Sequence, residues 1–227
     1  MFPKSKKATI VRSGVRRPPW ICRNVMQIVV LVFDMSSSMI GQKAKDAWAA
    51  IQDLLSELAQ PSNKDGFFVS VVGFADGADV LHPLERATSL YGKIAAGSFD
   101  ACGGNTNITA GLEVTESVLK RADRHPEDGL TALRPAVIVF TDGGHNEGPG
   151  PEHVAGRIRD KADLVTVAFG EGADEALMRS LATSSQHFYR CSSGRELRAF
   201  LAAVGATMTQ TMTAGVDATQ ALTTVQQ

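Results

Sequence analysis

Two aspartates and a set of hydroxyl side chains are the residues of this 227-residue chain whose types and spacing could do chemistry. The apolar run VVLVF ends at Asp34, and Ser36 and Ser38 follow at alternate positions. Thr106 lies in the glycine-rich stretch GGNTNITAG, and Asp142 follows the apolar run AVIVFT. Carboxylate and hydroxyl oxygens without a convergent histidine or cysteine form a hard-oxygen set. Such a set suits Mg²⁺, with Mn²⁺ or Ca²⁺ as alternatives, and argues against Zn²⁺.

The spacing of the first group has a geometric reason. In a turn that leaves a strand, alternate side chains can point to one side, so Asp34, Ser36 and Ser38 can face one ion. Such an ion takes about six ligands, and the five candidates leave at least one position open. If only one aspartate binds directly, the inner shell stays positively charged and favours a carboxylate from outside. The sequence therefore predicts a site that binds an Asp or Glu side chain of a protein partner through a divalent cation.

Each candidate ligand also has a purely structural alternative. One of the two serines could cap the following helix, although capping does not account for two serines beside an aspartate. The aspartates could be turn residues. Asn107 or Thr109 could be the loop ligand instead of Thr106. His145 could contact a ligand or could be a solvated loop residue, and Cys102 could be redox-sensitive or could be a small buried side chain. We favour Thr106 as the ligand, Thr109 as the start of a helix, solvation for His145 and burial for Cys102.

The elements that must position these side chains alternate along the chain. Near-continuous apolar runs predict buried strands at residues 25–33, 67–75, 136–141 and 164–169. Shorter strands are expected at 79–82, in a hairpin with the second strand, and at 187–191. Helical periodicity predicts helices at 41–60, 84–96, 108–124, 152–161, 173–183 and 194–207. This alternation indicates one α/β domain with a mostly parallel sheet and helices on both faces. The candidate ligands then meet at the carboxyl edge of the sheet, where open α/β sheets bind ligands.

The two ends of the chain differ in composition from the part between them. Before Asp34 the chain carries seven Lys or Arg and no Asp or Glu. We interpret residues 1–24 as a flexible basic arm, with a docking segment for an acidic partner as the alternative. A signal peptide is disfavoured because the apolar run is short and ends at an aspartate. Residues 125–134 are interpreted as a loop insertion, and the Thr- and Gln-rich residues 208–227 as a frayed helix end and a weakly ordered tail.

Bulk composition limits the possible partners and the compartment. The net charge of −1 gives no reason to expect nucleic acid or an anionic membrane as a partner. No segment approaches the roughly 20 apolar residues of a membrane span. The three cysteines, Cys22, Cys102 and Cys191, are far apart and form no CxxC pair. This pattern favours a reducing compartment without structural zinc, so we expect a cytoplasmic protein.

The three separated motifs resemble those of a known family. DMSSS at 34–38, Thr106, and the TDG step at 141–143 are similar to the metal-ion-dependent adhesion site of von Willebrand factor A domains. The hairpin stretch GFADGADVLHPL is also similar to that family, and the resemblance covers residues 25–205. It implies a doubly wound, Rossmann-like domain over 25–207 with a six-stranded sheet, one antiparallel edge strand and helices on both faces. One departure is Ser37, where the family usually has glycine.

A looser resemblance concerns FGEGADEALMRSLA and SSGRELRAFLAAVG. These segments are similar to bacterial tellurite-resistance-associated members, which are intracellular and encoded with kinases and phosphatases. The resemblance implies a metal-dependent interaction module in a stress-response system, with a kinase or phosphatase of that system as a candidate partner. We do not expect an enzyme, because GxxxxGK[ST] and GxSxG are absent and no strand end offers a nucleophile with a base. The alternative is a metal-assisted phosphohydrolase that uses the Asp34 loop.

Overall fold

The computed structural model describes residues 25–95, 103–122 and 130–225, and a central sheet organises them. The strand order is β3-β2-β1-β5-β6-β7, and a two-residue strand, β4, pairs with the start of β1. Only the β2–β3 pair is antiparallel among these described strands. This confirms the predicted mostly parallel six-stranded sheet with an antiparallel edge strand, and β4 is a short addition to it. The strands are β1 Val25–Asp34, β2 Phe67–Phe74, β3 Ala78–Arg86, β4 Thr131–Ala132, β5 Ala136–Thr141, β6 Asp163–Phe169 and β7 Phe188–Cys191.

Helices cover both faces of the sheet, as predicted for a doubly wound fold. Helices α1, α2, α6 and α7 pack into one apolar cluster, and α3, α4 and α5 into the other. Among the described helices, none combines the length and the apolar character of a membrane span. The helices are α1 Gln42–Leu58, α2 Ala87–Ala95, α3 Ile108–Ala122, α4 Glu152–Arg159, α5 Glu175–Leu181, α6 Gly194–Ala214 and α7 Thr219–Leu222.

Strand β1 forms the middle of the sheet, and its composition explains why. All of its residues are buried. Leu31 and Phe33 face one apolar cluster, whereas Val30 and Val32 face the other, because side chains alternate along a strand. The strand pairs with β2 on one side and with β5 on the other, so its backbone groups are satisfied along both edges.

Element boundaries differ from the predictions at the β3–α2 junction. Strand β3 runs through Arg86, although we predicted a short strand at 79–82 and a helix from residue 84. The strand continues because Glu85 and Arg86 remain paired with β2. Helix α2 therefore begins only at Ala87. In the predicted loop insertion at 125–134, residues 131–132 form β4, and residues 125–129 lie outside the described residues.

The carboxyl-terminal segment also differs from the prediction of a weakly ordered tail from residue 208. Helix α6 continues to Ala214, because Met208 and Met212 extend its buried face into the core that contains β1 and α1. Gly215 ends the helix in the left-handed conformation with a φ of 67°. Leu222 of α7 then packs into the same core. The predicted basic arm at 1–24 lies outside the described residues.

Candidate metal centre

The candidate ligands lie where the order of the sheet reverses. After β1 the chain moves to β2 on one side, and it returns on the other side with β5. The register pairs Phe33 with Phe140, so Asp34 and Asp142 lie at or just beyond the carboxyl ends of two adjacent parallel strands. This is the crevice in which open α/β sheets bind ligands.

Asp34 is a buried carboxylate held by hydrogen bonds from its own surroundings. Its side chain is fully buried, Oδ1 accepts a bond of 2.7 Å from the Ser36 backbone N–H, and Oδ2 accepts a bond from the Thr141 hydroxyl. Burial raises the pKa of Asp34, the bonds from Thr141 and Ser36 oppose this rise, and the charge of Asp142 adds to it. The charged form is therefore disfavoured in the protein alone, and a nearby cation would stabilise it.

Hydroxyl groups connect the two carboxylates. Ser36 Oγ lies 3.1 Å from Ser38 Oγ, and the Ser38 hydroxyl donates a hydrogen bond of 2.6 Å to Asp142 Oδ1. Adjacent ligands of an octahedral Mg²⁺, each about 2.1 Å from the ion, are separated by roughly 3 Å. The separation of the two serine oxygens fits two such adjacent positions.

Thr106 completes the group from the other side of the crevice. A methyl group placed on Gly143 would lie 3.5 Å from Thr106 Oγ1 and 3.7 Å from Ser38 Oγ. Both hydroxyls therefore border the same small space, which a side chain at position 143 would fill. The structure thus brings all five sequence-predicted residues to one crevice, and their chemistry fits a hard divalent cation.

Two residues that the sequence reasoning did not single out as site residues hold the Thr106 loop in place. The Asn146 side-chain oxygen accepts a bond of 2.7 Å from the Thr106 N–H, and the Asn146 N–H donates one of 3.1 Å to the Thr106 carbonyl. Asp76 Oδ1 accepts a bond of 2.6 Å from the Asn105 N–H. Asn and Asp side chains commonly bind loop backbone, but which loop they bind depends on the tertiary structure and cannot be predicted from the spacing of residues in the sequence.

The hydrogen bonds of the two serines, Asn107 and Thr109 distinguish between metal ligation and a purely structural role. Neither serine provides a side-chain cap, since the position before the short helix at Ser37–Met39 and the position before α1 both lack such a bond. Asn107 Oδ1 accepts a bond of 3.0 Å from the Ala110 N–H and so caps α3. The Thr109 hydroxyl donates to the Pro149 carbonyl. These two competitors of Thr106 are engaged elsewhere.

His145 differs from the prediction of a solvated loop histidine. Its Nδ1 accepts a bond of 3.2 Å from the Ile108 N–H at the start of α3, and its Nε2 lies 3.0 Å from the Pro149 carbonyl oxygen. The ring therefore joins the loop after β5 to the start of α3 and makes no hydrogen bond to the five candidate ligands. Cys102 lies outside the described residues.

Lys43 is a further residue that the sequence reasoning missed. It lies in the first turn of α1, and its ammonium group forms an ion pair with Asp142 Oδ2. The side chain of Lys43 is 43% exposed, whereas that of Asp142 is fully buried. The two residues are 99 positions apart, so only the fold brings them together.

The crevice is more enclosed than a surface loop. Asp34, Ser36, Thr106 and Asp142 are all buried, and Ser38 is the exposed member. Across the described ranges, no three His, Cys, Asp or Glu side chains cluster as a metal site, so a cation here would depend on hydroxyl ligands. The burial of Asp34 and the hydrogen bonds to both of its oxygens disfavour it as the nucleophile of a phosphohydrolase.

The fold and the crevice together define the class of protein. It is an open, doubly wound α/β domain with carboxylates and hydroxyls at the switch point of its sheet. The sequence profile of the von Willebrand factor type A domain matches residues 29–203, and the chain belongs to this family. Domains of this family commonly mediate metal-dependent protein–protein interactions and are typically interaction modules, not enzymes.

Three relatives illustrate the similarity. Human inter-alpha-trypsin inhibitor heavy chain H6 is 26% identical over 175 residues, which are 71% of this chain and 13% of that protein. Proximal thread matrix protein 1 from the mussel byssus, solved with a zinc-occupied metal-ion-dependent adhesion site, is 24% identical with a TM-score of 0.65. The match covers 82% of this chain and 46% of the mussel chain. A von Willebrand factor type A structure from Catenulispora acidiphila is 17% identical with a TM-score of 0.66, over 82% of this chain and 43% of the other.

Proposed function

We propose that this chain is a metal-dependent protein-interaction module. Asp34, Ser36, Ser38, Thr106 and Asp142 hold Mg²⁺, directly or through water, and an Asp or Glu side chain of a partner supplies a further ligand. The observation that carries the proposal is the row of hydroxyls between two buried carboxylates at the switch point of the sheet. Such a row has oxygen ligands on several sides and an exposed end at Ser38.

The charges of the crevice favour an anionic partner. The hydroxyl ligands carry no charge, so a divalent cation that binds only one of the two aspartates directly keeps a net positive inner shell. The ion would lie in a crevice where water screens charge less than at an open surface. A carboxylate is attracted to such a site and also provides the oxygen ligand that the ion lacks.

The surface beside the crevice offers a place for apolar contact. Ile40 directly follows the short helix at Ser37–Met39, and the residue is 61% exposed. A partner whose acidic side chain enters the crevice would lie over this residue. Apolar contact next to a buried ionic contact is the usual composition of a specific interface.

The donor chemistry favours Mg²⁺, whereas the mussel relative has zinc in its corresponding motif. Hydroxyl and carboxylate oxygens without His or Cys are ligands that Mg²⁺ accepts readily and that give Zn²⁺ no thiolate or imidazole. We therefore expect Mg²⁺ at millimolar concentration to occupy the site and to compete with micromolar Zn²⁺. Calorimetric titration of each ion, alone and in competition, measures this preference.

The metal part of the proposal is tested with Asp142→Ala. We expect at least a tenfold loss of Mg²⁺ affinity by calorimetric titration, because the substitution removes a carboxylate ligand. The fold should persist, since Lys43 can turn into solvent. Asp160→Ala is the matched control, because Asp160 is exposed and follows the end of α4. Equal Mg²⁺ affinity in the Asp142 variant and the wild type would overturn the assignment.

The partner part is tested with immobilised peptides that differ only in Asp or Glu against Asn or Gln. We expect retention of the acidic peptides in Mg²⁺, loss in chelator, and loss with Ser36→Ala. Retention that is the same in chelator and in the Ser36 variant would show that the interaction does not use the ion. A pull-down with and without chelator then identifies the natural partner.

The wider setting that we propose is a cytoplasmic stress-response system of the tellurite-resistance type, in which a kinase or phosphatase is the partner. Its support is the resemblance of the segments FGEGADEALMRSLA and SSGRELRAFLAAVG together with the absence of paired cysteine motifs. Cys191 is free and buried, and burial raises its pKa to about 12, so this thiol is unreactive. Recovery of a kinase or phosphatase in the Mg²⁺-dependent fraction of the pull-down would support this setting.

A further inference from the structure

We propose that Lys43 is a tethered cation that occupies Asp142 in the metal-free protein, and that a divalent ion must displace it. The inference rests on the proposed metal site and concerns how that site is filled. It assigns to Lys43 a direct influence on metal affinity, although its nitrogen cannot be a ligand while it carries a proton.

The first support is the position of the ammonium group. Asp142 Oδ1 accepts the bond from Ser38, and Oδ2 accepts the ion pair from Lys43, so the buried carboxylate is engaged on both oxygens. A methyl group placed on Gly170 would lie 3.9 Å from Lys43 Nζ and 4.0 Å from its Cε. The lysine side chain therefore runs from α1 past the loop after β6 into the crevice.

The second support is the helix position from which Lys43 extends. Helix α1 begins at Gln42, so Lys43 occupies its first turn, and this turn contains no acidic residue. A positive side chain is disfavoured at this end of a helix, where unpaired N–H groups already point outward. The ion pair with Asp142 compensates for this local conflict.

The third support is the incompatibility of the two cations on one carboxylate. A divalent ion held by Ser38, Thr106 and Asp142 would lie close to the ammonium group in a poorly screened crevice, and the two charges would repel each other. Lys43 can leave because its side chain is already 43% exposed. Ion binding is therefore an exchange in which the metal replaces the ammonium group of Lys43 at Asp142. Because this ion pair must be broken, the affinity for the metal is lower than the ligands alone would give.

The test compares Lys43→Met with Lys45→Met by calorimetric titration of Mg²⁺ and Mn²⁺. Methionine keeps an unbranched side chain that is one atom shorter and removes its charge, and Lys45 is an exposed lysine two positions further along α1. We expect the Lys43 variant to bind both ions at least fivefold more tightly than the wild type, and the Lys45 variant to stay within twofold of the wild type. Equal or weaker binding by the Lys43 variant overturns the inference.

A second readout is thermal unfolding. In chelator, Lys43→Met should unfold at a lower temperature than Lys45→Met, because Asp142 loses its counter-charge, and saturating Mg²⁺ should remove this difference. A difference that persists in Mg²⁺ counts against the exchange. If the methionine variant does not fold, Lys43→Gln is measured against Lys45→Gln with the same criteria. Failure of the proposed function is distinct, since Asp142→Ala would then bind Mg²⁺ as the wild type does.

Discussion

Asp34 is a residue whose proposed role in metal binding opposes the stability of the metal-free fold. It lies at the end of a fully buried strand, and burial raises its pKa above the ordinary value of 3.8. Because the folded protein binds this proton more tightly than the unfolded chain, the group favours folding most at low pH. Its contribution falls as the pH rises through the raised pKa. At neutral pH the metal-free fold therefore contains a carboxylate that it would hold more easily uncharged.

This conflict predicts opposite effects of Asp34→Asn on stability and on metal binding. In chelator at pH 7 we expect the variant to unfold at a higher temperature than the wild type, because the buried charge is gone. The Thr141 hydroxyl can turn towards the Gly143 carbonyl oxygen, which lies 3.3 Å away, so the amide is accommodated. The rise in Tm on adding Mg²⁺ should be much smaller than in the wild type. A variant that is less stable in chelator, with an unchanged response to Mg²⁺, would contradict this account.

The position of the five candidate ligands at one edge of the sheet could be predicted from the sequence, whereas the residues around them could not. The ends of apolar runs are visible along the chain, and the carboxyl ends of parallel strands meet at one edge, so Asp34 and Asp142 followed directly. Lys43 and Asn146 act through side chains that reach other loops. A lysine at the start of a helix and an asparagine in a glycine-rich loop are ordinary in sequence. Their roles depend on distances that only the folded chain fixes.

A charged cluster holds helix α3 against helix α4. Glu116 of α3 accepts two hydrogen bonds of 3.0 Å from Arg157 of α4, and Lys120 approaches the same carboxylate at 2.8 Å. The bonds from Arg157, followed by the bond from Lys120, lower the pKa of Glu116 from 4.5 to about 2. Because the folded pKa is depressed, this stabilisation is complete above pH 4.5 and is lost as the pH falls towards 2.

Glu116→Gln should therefore lower the Tm at pH 7 by roughly 2 °C, and the difference should shrink as the pH is lowered towards 2. Glu171→Gln is the control, because Glu171 is exposed in the loop after β6. Thermal unfolding followed by circular dichroism over this pH range measures both variants. A difference that is constant with pH would mean that the ion pair does not contribute.

The carboxyl-terminal elements show why composition misled the prediction of a weakly ordered tail. The Thr- and Gln-rich stretch is polar on average, but Met208, Met212 and Leu222 lie on its buried side. Polar contacts hold the same segment, since the Thr219 hydroxyl donates a bond of 2.6 Å to Asp163, a buried residue at the start of β6. Periodicity at intervals of four residues was present in the sequence, and the low apolar content concealed it.

Truncation tests this arrangement. A chain that ends at Thr207 should lose on the order of 5 kcal/mol in the free energy of unfolding, because each buried side chain it lacks contributes about 1.5–3 kcal/mol. A chain that ends at Val225 is the control and should unfold like the full chain. Urea unfolding followed by tryptophan fluorescence compares the two. Equal midpoints for both truncated chains would restore the interpretation of a weakly ordered tail.

The whole domain places its crevice by topology. Alternating strands and helices fix a mostly parallel sheet, and the return of the chain from β2 and β3 to β5 creates the switch point beside β1. This architecture could be predicted from the sequence because it depends on element order and not on exact boundaries. The length of β3 and the place of β4 could not, because they depend on pairing with neighbouring strands.

The most direct test of the central claim is anomalous diffraction from crystals saturated with Mn²⁺. The account predicts a single strong peak in the crevice, within about 2.5 Å of the Ser36 and Ser38 hydroxyl oxygens. Thr106, Asp34 and Asp142 should bind the ion directly or through one water. Well-ordered crystals with no peak at this position, or with the ion held by other residues, would contradict the claim that these three loops form a cation site.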